Sequence, residues 1–438
     1  MKSTQVAKRS AINGPPVRRV AGVLLCMLAI LLFAPKSAHA VDITGASNTY
    51  LRSSETVDGG NLLPLYEYLD LSVQNPGTES VSVHLGGWLR YDLRDDSFGK
   101  KKNSDLQYGY VGYRAKTRNA AVNLGRVMVF EGVATERVDG IYARTDVMGG
   151  LGISAFGGVP VETNTNLPGN DTIYGGRISH QYADLYTIGL SYLKEEKNSV
   201  TFRQEAGVDL WIKPVNKVEL SGRSSYNTQT TGWMENTYYL MLGPFDKLRV
   251  NAEASWINYE HYFAATTNNA FKLSPGGPLD PKEKLNILGP ELFYAINDNW
   301  AVSADYKSYE YDIAGKAGYY GARATYNMPK SYSAGISLHK MDGDTDRLQY
   351  NEYRIYAAKR MAKADIAVDL LDVKYKEAIN NVSDAYSATL AAGYEMTMKV
   401  KLGADLEYSK NPDFDKDVRI FLKLIYRFGA DAGKREGV

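Results

Sequence analysis

The stretch KDVRIFLKLIYRF, Lys416 to Phe428, decides the fold. Ile420, Leu422, Leu424, Tyr426 and Phe428 fall on every second position, and Phe421, Lys423, Ile425 and Arg427 fall between them. Successive side chains of an extended strand point to opposite faces. This segment therefore has an apolar face that ends in aromatic residues and a second face that carries cations.

The same period of two recurs along the chain. SVSVHLGGWLRYDL places Val81, Val83, Leu85, Gly87, Leu89, Tyr91 and Leu93 opposite His84, Trp88, Arg90 and Asp92. KLRVNAEASWINYE places Leu248, Val250, Ala252, Ala254 and Trp256 opposite Arg249, Asn251, Glu253 and Ser255. MKVKLGADLEYSK sets Val400, Leu402, Ala404, Leu406 and Tyr408 against Lys399, Lys401, Asp405 and Glu407. After Val41 no apolar run approaches the ~18 residues that a membrane helix needs.

The connections between these segments alternate in length. Backward from Phe428 come a longer link, KNPDFDKD, a tight one near Thr397, then YKEAINNVSD, a tight one near Ala362, KMDGDTDR, and the tight NMPKS. The longest, AATTNNAFKLSPGGPLDPKEK, runs from Ala264 to Lys284. Short turns at one rim and longer loops at the other, joined by strands that alternate apolar and polar, describe a transmembrane antiparallel β-barrel. The segments predict an all-β fold of about 22 strands, with 20–22 compatible with the pattern. VDITGASNTY is the first strand. No plug domain is expected ahead of it, and an even count puts both ends of the barrel in the periplasm.

The first 40 residues have a different character. Six basic side chains and no acidic ones surround the short apolar core AGVLLCMLAILLFA, and SAHA follows it. This is the order of a secretory signal peptide, with cleavage expected after Ala40 and export to the bacterial outer membrane. The only cysteine, Cys26, lies in this leader, so residues 41–438 contain no thiol, disulfide or thiolate metal site. Those residues keep 45 Lys and Arg against 50 Asp and Glu, which gives no case for nucleic-acid binding. Residues 41–428 are the expected barrel and residues 429–438 a periplasmic tail.

No constellation of catalytic residues appears. His84, His180, His261 and His339 lie on different segments, with no paired spacing. DGDTD, Asp342 to Asp346, opens like a calcium loop, but Arg347 stands where the glycine belongs and Tyr353 where the final carboxylate belongs. GGLGISAFGG, Gly149 to Gly158, lacks the helix that a dinucleotide fingerprint requires, so its glycines are read as sites of close strand approach. The lumen-lining residues predicted from the alternation are Arg90, Arg223, Arg249, Glu253, Asp305, Lys307, Asp365, Asp369, Lys399, Lys401, Asp405, Glu407, Lys423 and Arg427. Glu219 shares their face. Their mixed sign describes a hydrated wall rather than a filter for one sign of charge. No catalytic, cofactor-binding or metal-binding residue is predicted.

The ending ADLEYSKNPDFDKDVRIFLKLIYRF, Ala404 to Phe428, resembles the terminal hairpin of the porin-like barrels in porin–cytochrome electron conduits of metal-reducing bacteria. The specific likeness covers this hairpin alone. It implies a wide, plugless barrel that sheathes a multihaem c-type cytochrome and lets electrons cross the outer membrane. The chain has no CxxCH motif, so any haem would arrive on that partner. The alternative is a general or substrate-selective diffusion porin for small solutes. An outer-membrane hydrolase is a weaker third reading.

Overall fold

The alternating segments form twenty-two antiparallel strands that close into a barrel. The computed structural model describes residues 41–56, 59–76, 78–161, 171–261 and 282–429. The expected signal peptide, most of the link Ala264 to Lys284 and the tail beyond Gly429 lie outside the described residues. The first strand is Asp42–Glu55 and the second Pro64–Gln74, which is preceded by the short bridge Asn61–Leu62. The last is Phe414–Gly429. Each strand pairs with its neighbours in the chain, and the first pairs with the last from Thr44↔Gly429 to Ser53↔Ile420. That seam removes the sheet edge, so every strand has a neighbour on both sides, although the ladder between Lys102–Arg114 and Ala120–Glu131 covers only residues 109–114 of the former.

The two faces separate as the alternation demands. On the outer face of the last strand Ile420, Leu422, Leu424 and Tyr426 are exposed, and the same face continues through Leu402, Leu406, Leu390, Leu370, Ile355, Ile336, Leu292 and Leu190. Exposed aromatics border this apolar band on both sides. Tyr113, Tyr182, Tyr294, Trp300, Tyr332, Tyr394 and Tyr426 lie toward the rim that holds both barrel ends, and Trp256, Tyr306, Tyr353, Tyr386 and Tyr408 toward the other. An apolar belt between two aromatic girdles is the surface that lipid selects.

The rims differ as expected, with one correction. Two links read as long are mostly strand. Ala364–Ile379 and Val382–Glu395 meet at Asn380 and Asn381, whose φ values of 50° and 65° make the two-residue turn that suits the twist of a hairpin. Val400–Asn411 and Phe414–Gly429 likewise run to within two residues of each other. The strands on this side of the barrel are therefore longer than the sequence suggested. The long connections that remain, residues 93–101, 161–171 and 259–283, all leave from the rim opposite the barrel ends.

Neighbouring positions on one strand should differ sharply in tolerance. Leu402 is exposed in the apolar band, whereas Lys401 turns inward to Asp365 at 2.9 Å. Leu402→Arg is expected to weaken assembly by about 2–4 kcal/mol if the residue sits near the lipid midplane. Lys401→Leu should fold almost normally. Heat-modifiable gel mobility after refolding into lipid vesicles reads the difference, and equal behaviour of the two variants would overturn the facing of this strand.

Candidate functional site

The segment RVMVFEGVATERVDG, Arg126 to Gly140, is apolar on both faces, since Val127 and Val129 alternate with Met128 and Phe130. A strand in a water-filled barrel needs apolar residues on one face only. The structure accounts for the second. Strand Ala120–Glu131 pairs with Lys102–Arg114 from Arg114↔Ala121 to Gly109↔Arg126, and the ladder then stops. Beyond that point the hairpin of residues 126–139 leaves the wall and folds into the lumen.

Glycines make the fold line. Gly125 has a φ of 129°, lies opposite Gly140, and Gly140 lies opposite Gly158. A Cβ on Gly140 would collide with the carbonyl oxygen of Gly157 and come 2.8 Å from Cα of Gly158, so these backbones approach more closely than any side chain permits. The close approach expected within Gly149 to Gly158 occurs here.

Past the fold line, Val127, Val129, Ala134 and Val138 pack against Phe156, Ile173 and Leu193 to form a buried core. On the strands of those three wall residues, Ile153, Ile178, Ile188 and Leu190 occupy the alternate positions and are exposed outside. The core therefore lies within the barrel. Full burial of such side chains stabilises by roughly 1.5–3 kcal/mol each, which seats the hairpin firmly. At its tip the Val133 amide donates to Ser191 Oγ at 3.0 Å, and Arg203 pairs with Glu136. Tyr142 donates its hydroxyl to the buried Glu131 carboxylate.

The other face of the hairpin looks into the remaining lumen. Met128 is 46% and Phe130 66% exposed there. Arg126 holds Asp139 through Nε and a terminal nitrogen at 2.6 and 2.7 Å, and donates to the Leu106 carbonyl at 2.9 Å. Arg137 pairs with Asp105. These guanidinium groups reach the strand section that lost its backbone partner when the hairpin turned inward. Arg177 adds a bidentate contact to Asp209 on the wall, the Nε arm at 2.9 Å. Planar guanidinium forks suit such paired contacts with carboxylates.

Most of the predicted lumen-lining residues take part in cross-strand pairs on the inward face. Lys423 pairs with Asp405, Arg354 with Asp369, Lys401 with Asp365, and Arg419 with Glu407 at 3.6 Å. Lys307 meets Glu253 at 2.7 Å, Arg223 meets Glu235 at 3.1 Å, and His339 Nε2 meets Asp305 at 3.0 Å. Glu219 accepts from Trp211 Nε1 at 2.9 Å. Arg249 stacks over Phe293 at 4.7 Å, and Arg427 lies opposite Ala46 across the seam. Two of the predicted residues have other surroundings. Arg90 is buried and holds the following loop through the carbonyls of Ser97 and Lys100 at 3.0 and 2.8 Å. Lys399 lies in the turn before Val400, not in a strand. The alternation did not single out the hairpin charges Arg126, Arg137, Asp139 and Glu136 or their wall partners Asp105 and Arg203. The only signal for them was the doubly apolar segment.

The histidines remain apart. His339 is buried, stacked on Tyr319 at 4.9 Å and bonded to Asp305, an arrangement that holds a ring in place and brings no nucleophile to it. His84 bonds Ser72 and Ser82 and stacks on Tyr110. In the DGDTD segment, Asp344 accepts from the Lys316 amide at 2.6 Å and Asp342 pairs with Lys340. Among the described residues no group of three side chains is arranged to hold a metal ion.

No family model and no curated protein matches this sequence. Solved structures do. A mutant of the ferric enterobactin receptor PfeA of Pseudomonas aeruginosa superposes with a TM-score of 0.58 at 11% identity, over 90% of this chain and 81% of the receptor. The siderophore receptor PirA of the same organism gives 0.57 at 13% identity, over 89% and 81%. The fold is that of an outer-membrane β-barrel. A looser likeness, TM-score 0.43 at 10% identity over 91% of this chain and 98% of the other, joins it to OccD1 (OprD). Identities this low carry the architecture and nothing of ligand or transport.

The seat of the hairpin can be tested by crosslinking, since residues 41–438 contain no cysteine. A Cβ on Gly207 would press against a Val133 methyl carbon. Val133→Cys with Gly207→Cys is expected to form a disulfide on mild oxidation, visible as a shift in the mobility of the denatured chain. A pair that stays reduced would place the hairpin tip away from this wall.

Proposed function

We propose that the chain is a diffusion channel of the bacterial outer membrane, with the inward hairpin as its constriction. One observation carries this reading: residues 126–139 are seated inside the lumen by a buried core. A barrel of 22 strands encloses a lumen wider than a 16- to 18-stranded porin, and one left open would admit solutes indiscriminately. The longest link in the sequence, Ala264 to Lys284, suffices for a partial constriction but not for filling so wide a lumen. The strand hairpin occupies part of the lumen, which favours a channel over a sheath whose lumen must receive a cytochrome. The barrel ends then lie in the periplasm and the long connections outside, with the leader removed after Ala40. The ion pairs along the wall leave little net charge to select by sign, so size and the groups at the hairpin set what passes.

Single-channel recording tests the proposal. The purified barrel should conduct steadily in a planar bilayer. Replacing residues 127–137 by an Asn-Gly turn should raise conductance by roughly twofold or more, because the open cross-section grows. Unchanged conductance would remove the hairpin from the permeation path. A lone barrel that passes no current, but is recovered from membranes with a haem-staining protein, would favour the cytochrome sheath.

A further inference from the structure

Five aromatic rings follow one another across the seam on the inward face. Phe421 of the last strand lies 5.3 Å from Tyr50 of the first, centroid to centroid. Tyr50 lies 5.5 Å from Tyr68, Tyr68 lies 6.0 Å from Tyr66, and Tyr66 lies 6.1 Å from Trp88. All five are only partly buried. They do not belong to the outer girdles, because Leu51, Leu69, Leu89 and Leu422 occupy the opposite parity on the same strands and face the apolar band. A hydrated wall gains nothing from a contiguous run of aromatic faces, and exposing them to water is unfavourable.

We infer that this aromatic track, in the channel proposed above, is a binding site for a linear, uncharged oligosaccharide. The reasoning is from chemistry and charge. Flat ring faces in series offer repeated contact to the apolar faces of pyranose units, and four of the five rings are Tyr or Trp, which pair an apolar body with a hydrogen-bonding edge. The polar groups around the track already have partners. Tyr108 donates its hydroxyl to Asp70, Lys423 pairs with Asp405 while lying 4.8 Å over the Phe421 ring, and Asp105 is held by Arg137. Arg52, level with Phe421 across the seam, is exposed and supplies donors. With its carboxylates and most cations paired, the wall has little net field to recruit an ion. A purely apolar chain would offer no partner to the hydroxyls of Tyr50, Tyr66 and Tyr68 or to the exposed Arg52 guanidinium. A hydroxylated chain with apolar faces satisfies both.

The test uses the full-length barrel in a planar bilayer, with a linear α-1,4-glucose hexamer as probe and a poly(ethylene glycol) of equal size as control. The hexamer should block the current reversibly and in proportion to concentration, and the glycol should not. Trp88→Ala and Tyr66→Ala should each shorten the blocked dwell by about tenfold at unchanged open conductance. Tyr353→Ala, which removes an exposed outer tyrosine, should leave the dwell unaltered. No block in a conducting barrel, equal block by the glycol, or dwell times indifferent to Trp88 and Tyr66 would overturn the site while leaving the channel standing. If the barrel does not conduct, titration calorimetry of the detergent-solubilised protein still decides. Heat from the hexamer that disappears in Trp88→Ala supports the site, and no heat from the unmodified barrel overturns it.

Discussion

Closure of the backbone ladder is the constraint on which the rest of this structure depends. In lipid, each strand amide and carbonyl must find a partner within the protein, and the seam from Thr44↔Gly429 to Ser53↔Ile420 completes the circuit. Once the circuit closes, the period of two leaves each strand one face for lipid and one for water. Leucines, isoleucines and two aromatic girdles occupy the first face. Ion pairs such as Lys307–Glu253 and Lys401–Asp365 occupy the second. Partly exposed pairs of this kind add little stability, and their effect on the wall is to cancel charge.

The inward hairpin departs from that rule in one place. Strand Lys102–Arg114 keeps its partner on one side along its length but loses the other beyond Gly109. The departure is tolerated because side chains replace backbone. Arg126 reaches the Leu106 carbonyl and Arg137 reaches Asp105. On the hairpin's far side a hydrophobic core forms inside a barrel whose wall elsewhere carries ion pairs and the aromatic track. The glycine row Gly125–Gly140–Gly158 lets the sheet turn sharply enough for the two inward faces to meet. The hairpin and the aromatic track thus give a wide barrel a narrowed, chemically distinct interior without a separate plug among the described residues.

The sequence made most of the fold legible and little of the interior. Strand periodicity does not depend on long-range contacts, so Lys416 to Phe428 could be assigned to lipid and lumen faces from position alone. The strand count followed from the same pattern. Loop lengths were harder, because polar residues such as Lys376, Glu377 and Asp384 continue a strand beyond the apolar band, and only Asn380–Asn381 forms the turn. Lys399 was assigned to a strand for the same reason, since a turn leaves no period to break. The hairpin was hidden because its packing joins Val129 to Leu193 across intervening strands, which no local pattern records. Its sign was present in two forms: apolar residues on both faces of residues 127–130, and glycines that fall opposite one another only when the register is known. The ion pairs of the wall became visible at that same step, because the partners of the predicted charges are fixed by register rather than by spacing.

One measurement bears most directly on the inward fold. Leu124 and Phe130 lie on the same side of one strand by parity, yet the structure sends Leu124 to the lipid-facing surface and Phe130 into the lumen. Each can be replaced by cysteine and exposed to a cationic, membrane-impermeant methanethiosulfonate during single-channel recording. Phe130→Cys should react and lower the current in discrete steps, and Leu124→Cys should leave it unchanged. If neither position alters the current, or both behave alike, the hairpin continues the wall and the constriction is not there.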